Sequence, residues 1–334
     1  MRNKWIRMLA LALVLVMSFG LLVACDKKDS GSASDPDAPK KDVKVALILE
    51  GSIADMSWNA TAYEGLKRIE GLGATIGHTE NTPVASAADA IRAFASDGYD
   101  VIFMSSNSFQ DVAVETAKEF PDVQFFLINS AATESNIRSF AIQDAEQGFL
   151  MGALAALLSV NNKVGFIGGL PINPIINGGK GFEQGAKYVN PDIEIMSQNT
   201  GNFDDAVAAK ELAKQFVSEG VDVLCPMANQ ASLGVMEAAE ETGVLAIGSG
   251  RNQETVAPNA AVVAIIKDTS IAYEAAYKSY LEGKMPEEIL PMGAAQGVIY
   301  IGEYYKDDIS QDIKDKLNDI QQKLAAGEIK IKLD

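Results

Sequence analysis

The chain has 334 residues, of which 48% are hydrophobic, so it is long enough for about two domains with buried cores. Its 28 basic and 45 acidic residues give a net charge of -17, which repels phosphate backbones and makes nucleic acid an unexpected partner. With His78 as the single histidine, histidine-based catalysis and multi-histidine metal sites are disfavoured, and no metal or cofactor is predicted.

The first 25 residues have the order of a secretory signal. Basic residues at positions 2, 4 and 7 precede an uncharged stretch, residues 8–24, that is shorter than the ~20 residues of a membrane span. The stretch ends in Leu22-Val23-Ala24-Cys25, which resembles the bacterial lipobox, where diacylglycerol alkylates the cysteine thiol. We therefore predict a signal peptide, lipidation at Cys25 and a protein anchored to the cell membrane outside the cytoplasm. The alternatives are an ordinary cleaved signal peptide and an uncleaved anchor.

A polar segment separates this signal from the folded part. Residues 26–41 contain no large apolar side chain and are predicted to form a flexible linker, with folding starting near Val43. Beyond Cys25 the remaining cysteine is Cys225, so the mature chain is predicted to have no internal disulfide. Because Cys225 follows an apolar run, a buried and inert thiol is expected.

From Val43 onward, short β-branched runs alternate with segments of helical period, which predicts an α/β fold with parallel sheets. The pattern also repeats: residues 98–101 (GYDV) are answered by residues 220–223 (GVDV), 122 positions later, and the same offset pairs Asn107 with Asn229. We predict two similar lobes, each a doubly wound parallel sheet. The N-terminal lobe is assigned residues 42–142 and about 268–295, and the C-terminal lobe residues 143–267 and about 296–334.

Two such lobes predict a ligand cleft between them. Ligands of open parallel sheets bind beyond the carboxyl ends of the strands, where loop amides and helix N-termini point. The loops expected to line the cleft are residues 50–58, 105–109, 129–133, 168–179, 199–204, 227–232 and 249–253. Gly178-Gly179-Lys180-Gly181 lacks the spacing of a phosphate-binding loop and is interpreted as a flexible cleft loop.

Motifs in these loops give the chain a family resemblance from about Lys44 to the C-terminus. It is similar to the basic membrane protein family, or PnrA-like lipoproteins, which are substrate-binding subunits of ABC transporters with a type I periplasmic-binding fold. The resemblance implies an ABC permease and ATPase as partners and a small-molecule ligand. The motifs that carry it are, in chain order, DMSWN (55–59), AYEGL (62–66), EQG (146–148), VGFIGG (164–169), GFEQG (181–185), GNFDD (201–205) and LGV (233–235).

The resemblance implies a site for a purine nucleoside or nucleobase. Trp58 and Phe203 match the aromatic residues that sandwich the base, Asp55 and Asn59 match positions that contact it, and Lys267 matches the cleft lysine. Stacking contributes about 1–3 kcal/mol per base, so two faces plus hydrogen bonds are compatible with roughly micromolar affinity.

Some positions depart from the family pattern. Asn129 stands where an acid is common, and Gly250 and Asn252 stand where acids hold the ribose hydroxyls, while Arg251 adds a donor-only cation. A free nucleobase or a carboxylate ligand is therefore an alternative. Asn129, Asn229 and Arg251 are retained as candidate ligand contacts, although Asn229 is also expected as a plain turn residue.

Other interpretations of the same residues stay open. Trp58 and Phe203 are also compatible with core packing, Lys267 with an interlobe salt bridge to an acid, and Asp55 and Asp204 with helix caps. A ligand-sensing lipoprotein is a second function class. An enzyme is not expected, because no base or nucleophile accompanies the acidic residues of the predicted cleft.

Overall fold

Two six-stranded sheets organise the part of the chain that the structure describes. This computed structural model describes residues 42–53, 58–134, 136–250, 254–285 and 287–333. The signal peptide, the linker, the lipidation site Cys25 and the candidate ligand residues Asp55 and Arg251 lie outside the described residues. Within those residues, no helix is both long and apolar enough to cross a membrane.

The strands of the first sheet are β1 (Lys44–Ile48), β2 (Thr75–Thr79), β3 (Val101–Met104), β4 (Gln124–Ile128), β5 (Ile137–Ile142) and β11 (Leu290–Met292). They have the order β11-β5-β4-β3-β1-β2, and their described pairings are all parallel. The central strands are buried, whereas the edge strand β2 is partly exposed. The helices that pack on this sheet or on each other in this lobe are α1 (Trp58–Gly71), α2 (Val84–Ser96), α3 (Gln110–Ala117) and α8 (Thr269–Leu281).

The strands of the second sheet are β6 (Lys163–Gly168), β7 (Glu194–Asn199), β8 (Val223–Met227), β9 (Leu245–Gly250), β10 (Ala261–Lys267) and β12 (Ile299–Ile301). They have the order β12-β10-β9-β8-β6-β7, and the sheet is parallel except for β12, which runs antiparallel to β10. Its helices are α4 (Asp144–Leu158), α5 (Asn173–Val189), α6 (Ala206–Ser218), α7 (Ala231–Thr242) and α9 (Gln311–Ala325).

The two sheets have equivalent strand orders, which confirms the predicted pair of α/β lobes. Val101 starts β3 and Val223 starts β8, so the 122-residue offset superimposes corresponding strands of the two sheets. The aspartates before these strands also match in role. Asp100 accepts a hydrogen bond from the Lys44 backbone N–H, and Asp222 accepts from Val160 N–H, both fixing the chain next to the first strand of a lobe.

The predicted flexible loop at the glycine-rich segment is wrong. Residues 178–181 lie inside α5, which packs closely against α4. A Cβ on Gly148 would overlap the Gly178 carbonyl, and a Cβ on Gly181 would overlap the Ala145 carbonyl. The glycines therefore serve close approach of two helix backbones rather than loop flexibility, and packing outweighs their low helix propensity.

Candidate functional site

The carboxyl ends of the two sheets meet where the chain passes between the lobes. β5 ends at Ile142 and α4, which packs on the second sheet, starts at Asp144. In the reverse direction, β10 ends at Lys267 and α8, which packs on the first lobe, starts at Thr269. Since one residue separates strand from helix at each passage, both carboxyl edges border the junction. The lobe boundaries assigned from the sequence stay predictions.

A third segment connects the lobes, between β11 and β12, and it is hydrogen-bonded to the first two connecting segments. The chain leaves β11 at Met292, whose carbonyl accepts from Gln143 N–H at 3.0 Å, and enters β12 after Val298, whose carbonyl accepts from Asp268 N–H at 2.8 Å. Glu146, in the first turn of α4, accepts from the Ala294 N–H at 2.6 Å. Burial raises the pKa of Glu146 above its ordinary value, and this hydrogen bond opposes the rise only in part.

Trp58 is the first residue of α1, directly beyond the carboxyl edge of the first sheet. Its side chain is half-buried and packs on the core, while its indole Nε1 donates to the Ser105 carbonyl at 2.6 Å. Ser105 immediately follows β3 and is buried. The ring is thus fixed by both packing and a hydrogen bond. Ser105 belongs to a loop expected at the cleft, but its hydrogen bond to Trp58 is a contact that the sequence did not predict.

The described part of the β1–α1 loop, residues 49–53, is held from two sides. Gly51 N–H donates to Asn59 Oδ1 at 3.2 Å, so the amide oxygen of this candidate ligand residue, in the first turn of α1, already accepts a hydrogen bond from the preceding loop. On the other side, Glu80 Oε2 accepts from Ile53 N–H at 2.8 Å and from Ser52 Oγ at 3.0 Å. The Ile53 hydrogen bond, followed by the Ser52 hydrogen bond, lowers the pKa of Glu80. Sequence reasoning missed Glu80, because the contact joins segments that are distant in the chain.

Asn129 follows β4 with a φ of 53°, the left-handed conformation that asparagine tolerates better than most residues. Its Oδ1 accepts from Ile142 N–H at 3.0 Å, and its own N–H donates to the Phe140 carbonyl at 2.7 Å. The side chain therefore links the exits of β4 and β5 at the junction. Asn129 is a half-buried residue of the first sheet's carboxyl edge, as the sequence predicted.

Phe203 lies in the loop after β7 and is half-buried. Its ring sits against Gly169, which directly follows β6, and a Cβ at that position would overlap the ring. The Phe203 carbonyl accepts from Ala231 N–H at 2.8 Å at the start of α7. Helix α6, which follows Phe203 in the chain, is capped by Asp205, whose Oδ1 accepts from Ala208 N–H at 2.9 Å. The capping role that the sequence suggested for Asp204 is therefore wrong.

Asn229 follows β8 and is exposed, with a φ of 46°. Its carbonyl accepts from Ser232 N–H at 3.1 Å, which shapes the turn into α7. The structure thus shows the turn role that the sequence offered as the alternative to a ligand contact.

Lys267 is the last residue of β10, and its Nζ lies 2.8 Å from Asp144 Oδ1. Asp144 is 5% exposed and starts α4, where the helix dipole stabilises a carboxylate. Lys267 therefore pairs with an acid of its own lobe rather than across the lobes, as the alternative from the sequence had it, and the lysine side chain keeps 26% of its surface exposed.

These positions fall into two groups. Trp58, Asn59 and Asn129 lie at the carboxyl edge of the first sheet, and Phe203, Asn229 and Lys267 at that of the second. Among the described residues, no group of three or more His, Cys, Asp or Glu side chains is arranged to hold a metal ion. The arrangement is that of a two-lobed binding protein whose candidate residues lie on both lobes.

Comparison with known proteins identifies the family. The sequence model of the family described as ABC transporter substrate-binding protein PnrA-like (Bmp) matches residues 42–334, so the chain belongs to this family. Its members bind substrates for ABC transporters, working with a permease and an ATPase, and the family is not one of enzymes.

The chain is also similar to three known proteins over most of its length. A purine-binding protein of Brucella abortus is 25% identical over 291 residues, covering 86% of this chain and 82% of the relative. An ABC transporter solute-binding protein from Conexibacter woesei has a TM-score of 0.72 at 23% identity and covers 87% of this chain and 98% of its own. A transcriptional activator of the comK gene from Bacillus halodurans has a TM-score of 0.76 at 27% identity, with 86% and 99% covered.

Proposed function

We propose that this protein is the extracytoplasmic, lipid-anchored receptor of an ABC importer and that it captures a purine nucleoside or nucleobase between its lobes. The observation that carries the proposal is the pair of half-buried aromatic side chains at the carboxyl edges of the two sheets. Trp58 is held by the Ser105 carbonyl, and Phe203 is seated against Gly169. Flat heteroaromatic rings are the ligands that two such faces favour.

The relatives support the ligand class. A relative of similar length from Brucella abortus is named a purine-binding protein, and it covers most of both chains. Two stacked faces at about 1–3 kcal/mol each, with hydrogen bonds from polar groups at the same edges, fit the roughly 8 kcal/mol of a micromolar receptor.

Membrane attachment belongs to the same proposal. The lipobox-like Leu22-Val23-Ala24-Cys25 and the polar segment after it fit a lipid anchor and a tether for the folded lobes. Labelling of expressing cells with an alkyne palmitate analogue should mark the wild-type protein, and Cys25→Ser should remove the label. A labelled Cys25→Ser protein would contradict lipidation at this position.

Trp58 offers a direct test of the ligand. The sequence holds two tryptophans, Trp5 in the predicted signal and Trp58, so a chain that starts at residue 26 carries Trp58 alone. Titration with inosine, adenosine, guanosine, hypoxanthine and adenine should change Trp58 fluorescence, with calorimetry giving one site per chain. Succinate serves as the small carboxylate control. Binding of succinate with no response to any purine would contradict the proposal.

A regulatory role is the second candidate, and the Bacillus halodurans transcriptional activator favours it. The importer role and the regulatory role predict different phenotypes in cells. Deletion of the gene should abolish uptake of radiolabelled inosine if the protein serves an importer. Normal uptake together with altered expression of purine genes would favour sensing.

A further inference from the structure

At the carboxyl edge of the second sheet, the positive charge of Lys267 is compensated by the negative charge of Asp144. Lys267 ends β10, opposite Ile299 of β12, and Ile266 beside it pairs with Gly250 of β9. Lys267 therefore lies at the edge where this lobe faces the junction. The pair is part of the site described above, and the inference rests on the proposed function.

Among the described acidic residues, Asp144 is unusual because it is almost fully buried. Its side chain is 6% exposed, against 26% for the Lys267 side chain, so the carboxylate is inside and the ammonium faces outward. A buried carboxylate that loses its cation is strongly disfavoured, so Asp144 holds Lys267 in place. Asp144 also lies in the first turn of α4, beside the positive end of the helix dipole.

The pairing changes the chemistry that Lys267 offers to a ligand. An ammonium has three N–H donors, and one of them is directed to Asp144 Oδ1. Within the described residues, Lys267 Nζ makes no other hydrogen bond. The remaining donors suit a carbonyl or hydroxyl oxygen. An anionic ligand would also approach the buried negative charge of Asp144, whose repulsion offsets the attraction to the ammonium.

We propose that Asp144 is a specificity-determining residue, which neutralises Lys267 so that the site selects uncharged ligands with oxygen acceptors and rejects carboxylates. This separates two ligand classes that the sequence left open, the purine nucleoside and the carboxylate. Asp144 acts through its negative charge beside Lys267 and has no contact with the ligand in this proposal.

The test compares inosine with inosine 5′-carboxylic acid, by calorimetry at pH 7. Wild-type protein should prefer inosine by about 10-fold or more, and Asp144→Asn should shift the affinity ratio by about 10-fold or more toward the carboxylate. Glu241→Gln is the matched control, because it removes one carboxylate from a surface cluster with Lys210 and Lys214 and should leave the ratio unchanged. A ratio that stays constant in Asp144→Asn while both affinities fall indicates a structural role and overturns the inference.

Two further variants keep the test decisive. Lys267→Gln should move the ratio the opposite way, against the carboxylate, and it provides the answer if Asp144→Asn does not fold. In a Lys267→Met background, Asp144→Asn should still shift the ratio toward the carboxylate, because it removes the repulsion by the buried negative charge; a ratio that stays constant there overturns the inference. Failure of wild-type protein to bind any of the purine nucleosides and nucleobases named above is a failure of the proposed function, whereas inosine binding with an unaltered ratio in these variants refutes only the role of Asp144.

Discussion

Trp58 and Ser105 are joined by a 2.6 Å hydrogen bond from the indole Nε1 to the backbone carbonyl. This contact links the start of α1 to the exit of β3, two segments that lie 47 residues apart. The ring thereby has one orientation relative to the sheet edge, and a ligand that stacks on it meets a prearranged face.

Replacement of Trp58 separates stacking from orientation. Trp58→Ala should weaken inosine binding by about 1–3 kcal/mol, which is the range of one base stack. Trp58→Phe keeps an aromatic face but loses the hydrogen bond to Ser105, worth about 0.5–1.5 kcal/mol, so it should fall between alanine and wild type. Calorimetry checks the order, and equal affinities of the three proteins would exclude Trp58 from the site.

The closely packed helices α4 and α5 should not accept a side chain at their contact. Gly148→Ala places a methyl group against the Gly178 carbonyl and should lower the free energy of unfolding by about 1–3 kcal/mol. Gly71→Ala is the control, since no atom lies within 4 Å of its Cβ position at the end of α1. That substitution should be neutral or add up to about 1 kcal/mol of stability. Urea unfolding of both variants measures the contrast, and equal effects would argue against close packing.

Glu146 should make stability fall as the pH rises. Its folded pKa lies above the unfolded value because of burial, so the native state binds more protons and is favoured below the unfolded pKa. This contribution disappears as the pH rises through the folded pKa. Glu146→Gln, which stays neutral, should therefore gain in melting temperature relative to wild type between pH 4 and pH 7. A difference that does not change with pH would contradict this.

Tyr273 has a buried hydroxyl without a hydrogen-bond partner in the described structure, and burial raises the pKa of this phenol. Removing an unpaired polar atom eliminates its desolvation cost. Tyr273→Phe should therefore match or exceed wild-type stability by up to about 1 kcal/mol, whereas Tyr273→Ala should lose about 3–5 kcal/mol by leaving a cavity. Differential scanning calorimetry distinguishes these, and a marked loss in Tyr273→Phe would reveal a partner for the hydroxyl.

The lobes were predictable because the sequence carries its own repeat. Apolar runs at a constant offset, such as those that start at Val101 and Val223, mark equivalent strands whatever the loops contain. The glycine-rich part of α5 was misread as a loop because glycine disfavours helix in isolation, and only the neighbouring α4 explains it. Tertiary packing decided that segment.

The candidate site was predictable only in part. Positions such as Trp58 and Phe203 were assigned by motif, and the carboxyl edges follow from the parallel topology. The hydrogen-bond partners at the site were not predictable from the sequence. Glu80 accepts from Ile53 and Asp144 accepts from Lys267, and in each pair the two residues are far apart in the chain. Long-range contacts of this kind depend on how strands are ordered in the sheets.

Helix α8 and strand β11 come late in the chain but belong to the first lobe, so this lobe cannot finish folding until they have been synthesised. The core of the first lobe needs Tyr273, which packs on Gly65 and Phe140, and its sheet needs β11, which ends at Met292. Synthesis must therefore reach Met292 before the first lobe has all the parts to fold. Such a delay suits a family whose members work outside the cytoplasm, since unfolded chains are easier to export.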